Sequence, residues 1–190
     1  MIYGRYKNAR NSAWQCLIDN NVKSLPVKIN CIATANNIAV LKYSNVDVER
    51  LSDKESGVTC FAGDNIYIIY RDTEPIERCR FTIAHELGHI FLGHTLVGDR
   101  LSRKFDLTKP EVEQEADVFA SRLLAPACVL WGLNLHTAEE IAKVCKISLS
   151  AAQVRAERMA VLYKRNKFLT SPLERQVYKQ FEDYINNNSK

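Results

Sequence analysis

Residues 81–92 read FTIAHELGHIFL, an otherwise apolar helical run that carries two histidines and a glutamate in the pattern H-E-x-x-H. On a helix, residues four apart are separated by about 400° of rotation and about 6 Å of rise. His85 and His89 therefore point the same way, one turn apart, and can bind a single metal ion. Glu86 lies about 100° round from His85, where it can reach an attacking water but cannot replace a histidine on the ion. That position suits a general base.

A catalytic zinc site needs a third protein ligand and one open position. The longer pattern H-E-x-x-H-x-x-G-x-x-H would require glycine and histidine where this chain has Leu92 and Thr95, so that pattern is excluded. His94, five residues after His89, lies off the ligand face, and we expect it at the helix end or behind the ligands. His136 stands at a predicted helix start and is expected to be structural.

The third ligand is predicted on a second helix. Residues 108–111, TKPE, combine capping-box spacing with a proline in the first turn, and they predict a helix that continues to about Leu124. Within it, Glu113 and Asp117 are four apart, so Glu113 can reach the metal while Asp117 accepts the free ring N–H of one histidine. Glu115 lies about 200° from Glu113 round the helix and cannot share its target. A solvated acidic face is the alternative reading of this segment.

Composition indicates an ordinary globular protein. The chain has 190 residues, with 46% hydrophobic and 25% charged residues, and we expect residues 1–190 to form a single domain. A net charge of +4 is too small to identify a nucleic-acid binder by charge alone. The six cysteines include no C-x-x-C pair, which argues against a zinc ribbon and a disulfide framework and favours buried free thiols.

The sequence contains no signal for membranes or secretion. Residues 1–7, MIYGRYK, have no apolar region of the signal-peptide type, and no stretch approaches the length needed to cross a bilayer. We therefore expect a cytoplasmic protein without a membrane partner.

The pattern of apolar residues predicts an α+β fold, with a small antiparallel sheet of about three strands packed against helices. The predicted strands are 38–43, 58–61 and 65–70, and the predicted helices before the second half of the chain are 8–20, 27–35 and 76–92. Residues 62–64, AGD, are a hairpin signal between the last two strands. Strand 65–70 directly precedes the H-E-x-x-H helix, and we expect it to be an edge strand that holds an extended peptide beside the metal.

The C-terminal third favours a helical part and leaves a second function open. Residues 137–140, TAEE, and 150–153, SAAQ, both have capping-box spacing, and residues 146–148 separate the helices they predict, as in a helix-turn-helix. From Arg155 to Lys179 there are seven lysines and arginines and two glutamates, a charge that could meet DNA phosphates. The alternatives are a DNA-binding transcriptional regulator with a purely structural metal site and a helical pair packed on the core with a solvated basic face.

One more helix is predicted at about 171–186, and it begins at SPLE. It carries an apolar stripe formed by Leu173, Val177, Phe181, Tyr184 and Ile185. We expect this appended helix to dock on the core or on a partner.

The segments RFTIAHELGH (80–89), EQEADVFA (113–120) and LLAP (123–126) together resemble the ImmA/IrrE family of metallo-endopeptidases. The similarity extends over roughly residues 26–160, and both halves of the family's motif occur in the same order. The chain departs from the family at Ala125, where methionine is usual, and at Asp117, where asparagine is frequent. Neither difference affects a proposed ligand.

The resemblance implies a zincin-like metallopeptidase core over about residues 26–165, with His85, His89 and Glu113 as metal ligands and Glu86 as the catalytic glutamate. Zn²⁺ is the expected cofactor, and Mn²⁺ or Fe²⁺ would also suit two histidines and a carboxylate. Family members typically cut a repressor inside bacterial cells and so switch on genes of a mobile genetic element or a stress response. The expected partner is therefore a protein substrate, a helix-turn-helix repressor, with direct nucleic-acid binding as the alternative.

The expected reaction is metal-assisted peptide hydrolysis in which Glu86 takes a proton from the attacking water and returns it to the leaving amine. The side chain that stabilises the oxyanion is left open among five residues. These candidates are Tyr67, Tyr70, Arg80, His94 and His136.

Overall fold

The computed structural model describes residues 3–46, 55–94 and 110–189, and these form an α+β fold as predicted. The helices are α1 Tyr3–Asp19, α2 Ile29–Ala35, α3 Ile76–Phe91, α4 Pro110–Leu124, α5 Ala127–Gly132, α6 Ala138–Cys145, α7 Leu149–Arg165, α8 Pro172–Gln180 and α9 Glu182–Asn188. The strands are β1 Ile38–Lys42, β2 Gly57–Ala62 and β3 Asn65–Tyr70. No helix in the described ranges is long and apolar enough to span a bilayer.

The sheet has three strands in the order β1-β3-β2. The predicted hairpin is confirmed, since β2 and β3 are antiparallel and Gly63 adopts a φ of 61° in the turn between them. β1 pairs with β3 in parallel, so the sheet is mixed and differs from the antiparallel sheet that we expected. The difference arises because β1 runs in the same direction as β3, whereas β2, joined to β3 by the hairpin, runs in the opposite direction.

The prediction that strand 65–70 is an edge strand is therefore wrong. Residues of β3 pair with β1 on one side and with β2 on the other, so β3 has no free edge. The sequence contained a signal for this position, because the near-continuous apolar run IYIIY (66–70) is typical of a strand covered on both faces. The edges of the sheet in the described part of the chain are β1 and β2.

The hydrophobic core joins the beginning and the end of the chain. It contains Trp14 and Leu17 of α1, together with Val177, Phe181 and Ile185 near the C-terminus, and each of these is at most 3% exposed. The apolar stripe predicted for residues 171–186 thus docks on the core. It belongs to two helices rather than one, because α8 ends at Gln180 and the chain turns at the buried Phe181 before α9 begins.

Helices α3 and α4 approach each other closely at a glycine. A Cβ atom on Gly88 would lie 3.2 Å from the backbone Cα and O atoms of Ala116 and 3.2 Å from Cβ of Phe119. Such distances are tighter than ordinary van der Waals contact, so a larger residue here would require α4 to shift by a few tenths of an ångström. This contact brings the histidines of α3 next to the acidic first half of α4.

The caps of the C-terminal helices agree with the prediction in two of three cases. The capping box of Thr137 and Glu140 is present at the start of α6, and Ser171 caps α8 with Pro172 in its first turn. Helix α7 is capped by Ser148, whose Oγ accepts from the N–H of Ala151 at 3.2 Å, so the predicted cap at Ser150 is wrong. Ser148 and Ser150 both precede an apolar run. Ile147, directly before Ser148, is buried, and its packing places Ser148 at the cap. The capping box predicted at 108–111 begins outside the described residues.

One basic residue of the segment from Arg155 to Lys179 is buried, contrary to what its charge suggested. Arg155 is 2% exposed and lies on the same face of α7 as the buried Ala152 and Met159. Its guanidinium therefore cannot meet DNA phosphates in this fold. The six other basic residues between Arg155 and Lys179 are exposed or partly exposed.

The cysteines are free thiols, and most of them are buried as predicted. Cys16, Cys79, Cys128 and Cys145 are buried, whereas Cys31 is exposed and Cys60 is partly buried. Burial raises the pKa of the Cys16, Cys128 and Cys145 thiols to about 12, so these groups stay protonated at neutral pH.

Candidate metal centre

Three side chains from α3 and α4 converge on one point. The Nε2 atoms of His85 and His89 lie 3.0 Å apart, as their spacing of one helical turn requires. The carboxylate of Glu113 faces both, with Oε2 at 3.1 Å from Nε2 of His85 and Oε1 at 3.3 Å from Nε2 of His89. All three ligand atoms lie within 4.8 Å of one another, so the residues proposed as metal ligands are brought together.

The distances between these atoms fit a zinc ion. Two ligand atoms about 2.05 Å from a tetrahedral ion lie about 3.3 Å from each other, close to the separations of 3.0 to 3.3 Å found here. Oε1 of Glu113 is buried and faces Nε2 of His89 at 3.3 Å, so both carboxylate oxygens are directed at the ring nitrogens. A carboxylate and two imidazole nitrogens are also the donor set that Zn²⁺ prefers.

The electrostatics of the cluster favour a charged pair when no ion is bound. Burial lowers the pKa of His85, but hydrogen bonds to Asp117 and Glu113 outweigh it and raise the pKa to about 9. The hydrogen bond from His85 lowers the pKa of Glu113 well below its usual range. The metal-free protein therefore holds a protonated His85 against an ionised Glu113 at neutral pH, and a metal ion must displace that proton.

This pair predicts how the stability of the metal-free protein depends on pH. The pKa of His85 rises from 6.5 in the unfolded chain to about 9 in the folded one, so its stabilisation is complete below pH 6.5 and is lost as pH rises through 9. We expect the free energy of unfolding to fall by roughly 1–3 kcal/mol over this window. Urea unfolding after chelation, at about pH 6 and about pH 9.5, measures the change. Asp117→Asn should reduce it, and an unchanged or rising stability would contradict the assignment.

Asp117 lies behind His85 as the helical spacing predicts. Its Oδ1 atom is 2.9 Å from Nδ1 of His85. An ionised carboxylate only accepts hydrogen bonds, so Nδ1 of His85 keeps its proton, and once a metal ion has displaced the proton on Nε2 the lone pair of Nε2 is directed at the cluster.

His94 and Glu115 form a second contact behind the cluster. His94 lies in the turn after α3, as expected, and its Nδ1 atom is 3.1 Å from Nδ1 of His89. Its Nε2 atom is 3.2 Å from Oε2 of Glu115. Glu115 thus has a different target from Glu113, in agreement with the angle between them on α4. The contact between Glu115 and the site through His94 was not predicted.

Glu86 is buried beside the cluster, at 7% exposure, and is held by a residue that the sequence analysis missed. The hydroxyl of Thr59, on β2, donates to Oε2 of Glu86 at 2.7 Å. Strand β2 lies so close to α3 that a Cβ atom on Gly57 would be 2.4 Å from Cγ2 of Thr82. The two bonded residues are 27 positions apart in sequence, so no periodic pattern connects them.

Most of the candidates for oxyanion stabilisation have other contacts. Arg80 donates to the backbone oxygens of Lys146 and Val27, each at 3.0 Å, and ties α3 to neighbouring segments. His136 stacks on Tyr163 at 4.5 Å, away from α3. Tyr67 alternates with the buried Ile68, which pairs with Thr59, and therefore lies on the sheet face opposite Glu86. Tyr70 lies on the same sheet face as Ile68, toward α3, and its electrostatic neighbours are Cys79 and Asp72 near the start of that helix.

The comparison with protein families gives one match. The family model Peptidase_M78, described as IrrE N-terminal-like domain, matches residues 41–157. This range contains the hairpin β2–β3 and both helices that carry the His85, His89 and Glu113 cluster. No curated protein matches the chain.

Proposed function

Because the chain belongs to the M78 peptidase family with the IrrE N-terminal-like domain, which supports a metallopeptidase-type function, we propose that it is a zinc-dependent endopeptidase. In this proposal His85, His89 and Glu113 hold the ion and Glu86 is the general base. The observation that carries it is the convergence of three ligand atoms within 4.8 Å, with a buried carboxylate on the residue next to the first histidine. Mn²⁺ or Fe²⁺ would suit the same donor set.

The mechanism follows from what the side chains can do. A bound Zn²⁺ supplies a Lewis acid that polarises the substrate carbonyl and acidifies the attacking water. Glu86 removes a proton from that water as its oxygen bonds to the carbonyl carbon. The same carboxylate then returns the proton to the amide nitrogen as the C–N bond breaks, so the glutamate ends each turnover ionised. Asp117 keeps the proton of His85 on Nδ1 throughout.

Substrate approach is expected along β2. Within the described residues this strand pairs only with β3, and its Thr59 contacts Glu86. An extended peptide added to a free strand edge gains backbone hydrogen bonds and presents alternate side chains to the protein. A peptide on β2 would therefore run past the proposed base, a role that we had expected of β3.

The substrate in this proposal is a helix-turn-helix repressor of a mobile genetic element or a stress regulon, cut in the cytoplasm. Its support is the resemblance of residues 80–89 and 113–126 to the ImmA/IrrE family, whose members typically cut such proteins.

The test is metal-dependent cleavage. The purified protein is stripped with a chelator, reloaded with one equivalent of Zn²⁺, Mn²⁺ or Fe²⁺, and incubated with the helix-turn-helix repressor encoded nearest to its own gene. We expect a single cut, found by mass spectrometry, that appears only with metal. No cleavage with any of the three ions would overturn the proposal. Salt-sensitive binding to duplex DNA without cleavage would favour the transcriptional regulator, and unfolding on chelation without cleavage would favour a structural metal site.

Thr59 gives a prediction about the position of the base. Thr59→Val keeps the shape of the side chain but removes the donor to Glu86, so the carboxylate loses its fixed orientation. We expect kcat to fall about 10–100-fold with KM within about 2-fold, since a hydrogen bond to a charged group is worth about 1.5–3 kcal/mol. Steady-state cleavage kinetics measure both constants. Thr59→Ser retains the hydroxyl and is the matched control, and equal kinetics for the two variants would contradict the role.

A further inference from the structure

The end of α3 folds back over one of its own histidines. Gly93 has a φ of 73°, its N–H donates to the carbonyl of Ile90 at 3.1 Å, and the N–H of His94 donates to the carbonyl of His89 at 2.9 Å. These two bonds define a Schellman motif, in which the second residue after the C-cap folds back over the third residue from the end of the helix. That geometry usually brings together two apolar side chains. Here it brings together His94 and His89.

The contact between the two rings has one hydrogen-bond assignment that leaves His89 able to bind a metal. Nδ1 faces Nδ1 at 3.1 Å, so one nitrogen donates and the other accepts. The carboxylate of Glu115 accepts from Nε2 of His94, at 3.2 Å, which leaves Nδ1 of a neutral His94 as an acceptor. The proton of His89 is then on Nδ1, and the lone pair of its Nε2 atom faces His85 and Glu113. Any arrangement with a proton on Nε2 of His89 would remove that lone pair.

We propose that His94 and Glu115 are positioning residues that fix the ring orientation and tautomer of His89 for metal binding. The proposal deepens the metallopeptidase function above and rests on its ligand set. In this proposal the ring of each histidine in the site is oriented by a carboxylate. His85 is oriented by a carboxylate directly, through Asp117, and His89 is oriented by a carboxylate through one intervening ring.

This arrangement also explains the alternating acids of α4. Glu113, Glu115 and Asp117 cannot all face one direction on a helix, because neighbouring members of the series are about 200° apart. Glu115, the middle acid, therefore needs a partner that lies away from the face with the metal ligands. His94, past the end of α3, is in such a position. The side chains of His94 and Glu115 are 10% and 14% exposed, so solvent competes little for the contact.

The first test measures zinc affinity in the absence of substrate. The dissociation constant of the metal is obtained by competition with a chromophoric chelator, for His94→Leu and His94→Gln. We expect His94→Leu to weaken zinc binding about 10–100-fold, and His94→Gln, whose amide oxygen can accept from Nδ1 of His89, to recover most of the loss. His136→Leu is the control and should leave the affinity unchanged. Equal affinities for the wild type and His94→Leu would overturn the proposal, as would no recovery by glutamine in a folded variant.

A second test separates a chain of contacts from two independent contributions. Glu115→Gln should weaken zinc binding in the wild-type background and have no further effect once His94→Leu is present. Additive effects of the two substitutions would overturn the proposal. Because this readout does not involve proteolysis, zinc binding that depends on His94 in a protein that cleaves nothing would refute the peptidase function and keep the positioning role. Normal zinc binding by His94→Leu in an active enzyme would refute the positioning role and keep the peptidase function.

Discussion

Glu86→Gln is expected to lower kcat for substrate cleavage by roughly 10²–10⁴-fold while the protein stays folded and binds zinc normally. Glutamine has the size of glutamate, and its amide oxygen can still accept from the hydroxyl of Thr59, so the buried position remains filled and bonded. What it lacks is the basic oxygen that takes a proton from water. Cleavage rates and zinc content of the purified variant measure the two halves of this expectation.

The matched control is Glu77→Gln, the same chemical change in the first turn of α3. It should leave both cleavage and zinc content at wild-type levels. Full activity of Glu86→Gln would show that another group acts as the base. Loss of zinc together with activity would mean that Glu86 supports the ligands rather than the proton transfer.

The second large effect is expected at Glu113. Structural zinc sites with four ligands have binding free energies of roughly 10–16 kcal/mol, or about 3–4 kcal/mol per ligand, so Glu113→Ala should weaken zinc binding by about 10²–10³-fold. Activity at limiting metal should fall with it. The substitution also removes one of the two hydrogen-bond partners that raise the pKa of His85, the other being Asp117, so the metal-free protein should lose part of its stability below pH 6.5. Chelator competition and urea unfolding measure these effects.

Glu111→Ala is the control for this change, because it removes an exposed carboxylate two residues away on α4, about 200° round the helix from Glu113. It should have little effect on zinc affinity. Tight zinc binding by Glu113→Ala would exclude Glu113 as a ligand and would point to another arrangement of the histidines.

The parts of the site that could be predicted are those that depend on one helix at a time. The relation of His85 to His89, and that of Glu113 to Asp117, follow from 3.6 residues per turn and hold in the structure. The position of β3 could not be derived in this way, because alternation assigns side chains to faces of a sheet and contains nothing about which strands are neighbours. The same limit hid Thr59, whose contact with Glu86 depends on strand order.

His94 is an intermediate case. Its spacing from His89 excluded it from the ligand face, and that conclusion is consistent with the structure. Gly93 was the signal that would have placed it, since a glycine just past a helix end indicates a chain reversal that returns the following residue over the last turn. The wrong cap at the start of α7 also depends on residues next to a helix end. Two serines compete for one cap there, and packing of Ile147 decides between them.

Both ends of the chain contribute to the hydrophobic core, so the region that carries the metal centre is not separable along the boundaries of the family match. The family match covers residues 41–157, yet α1 and α8, outside that range, contribute Leu17 and Val177 to the same core, each with no exposed surface. The guanidinium of Arg80, within the match, also donates to the backbone of Val27, outside it. An excised catalytic fragment with the boundaries of the match would leave an apolar face of α4 without its cover. We therefore expect the unit that folds cooperatively to be larger than the region that the family model matches.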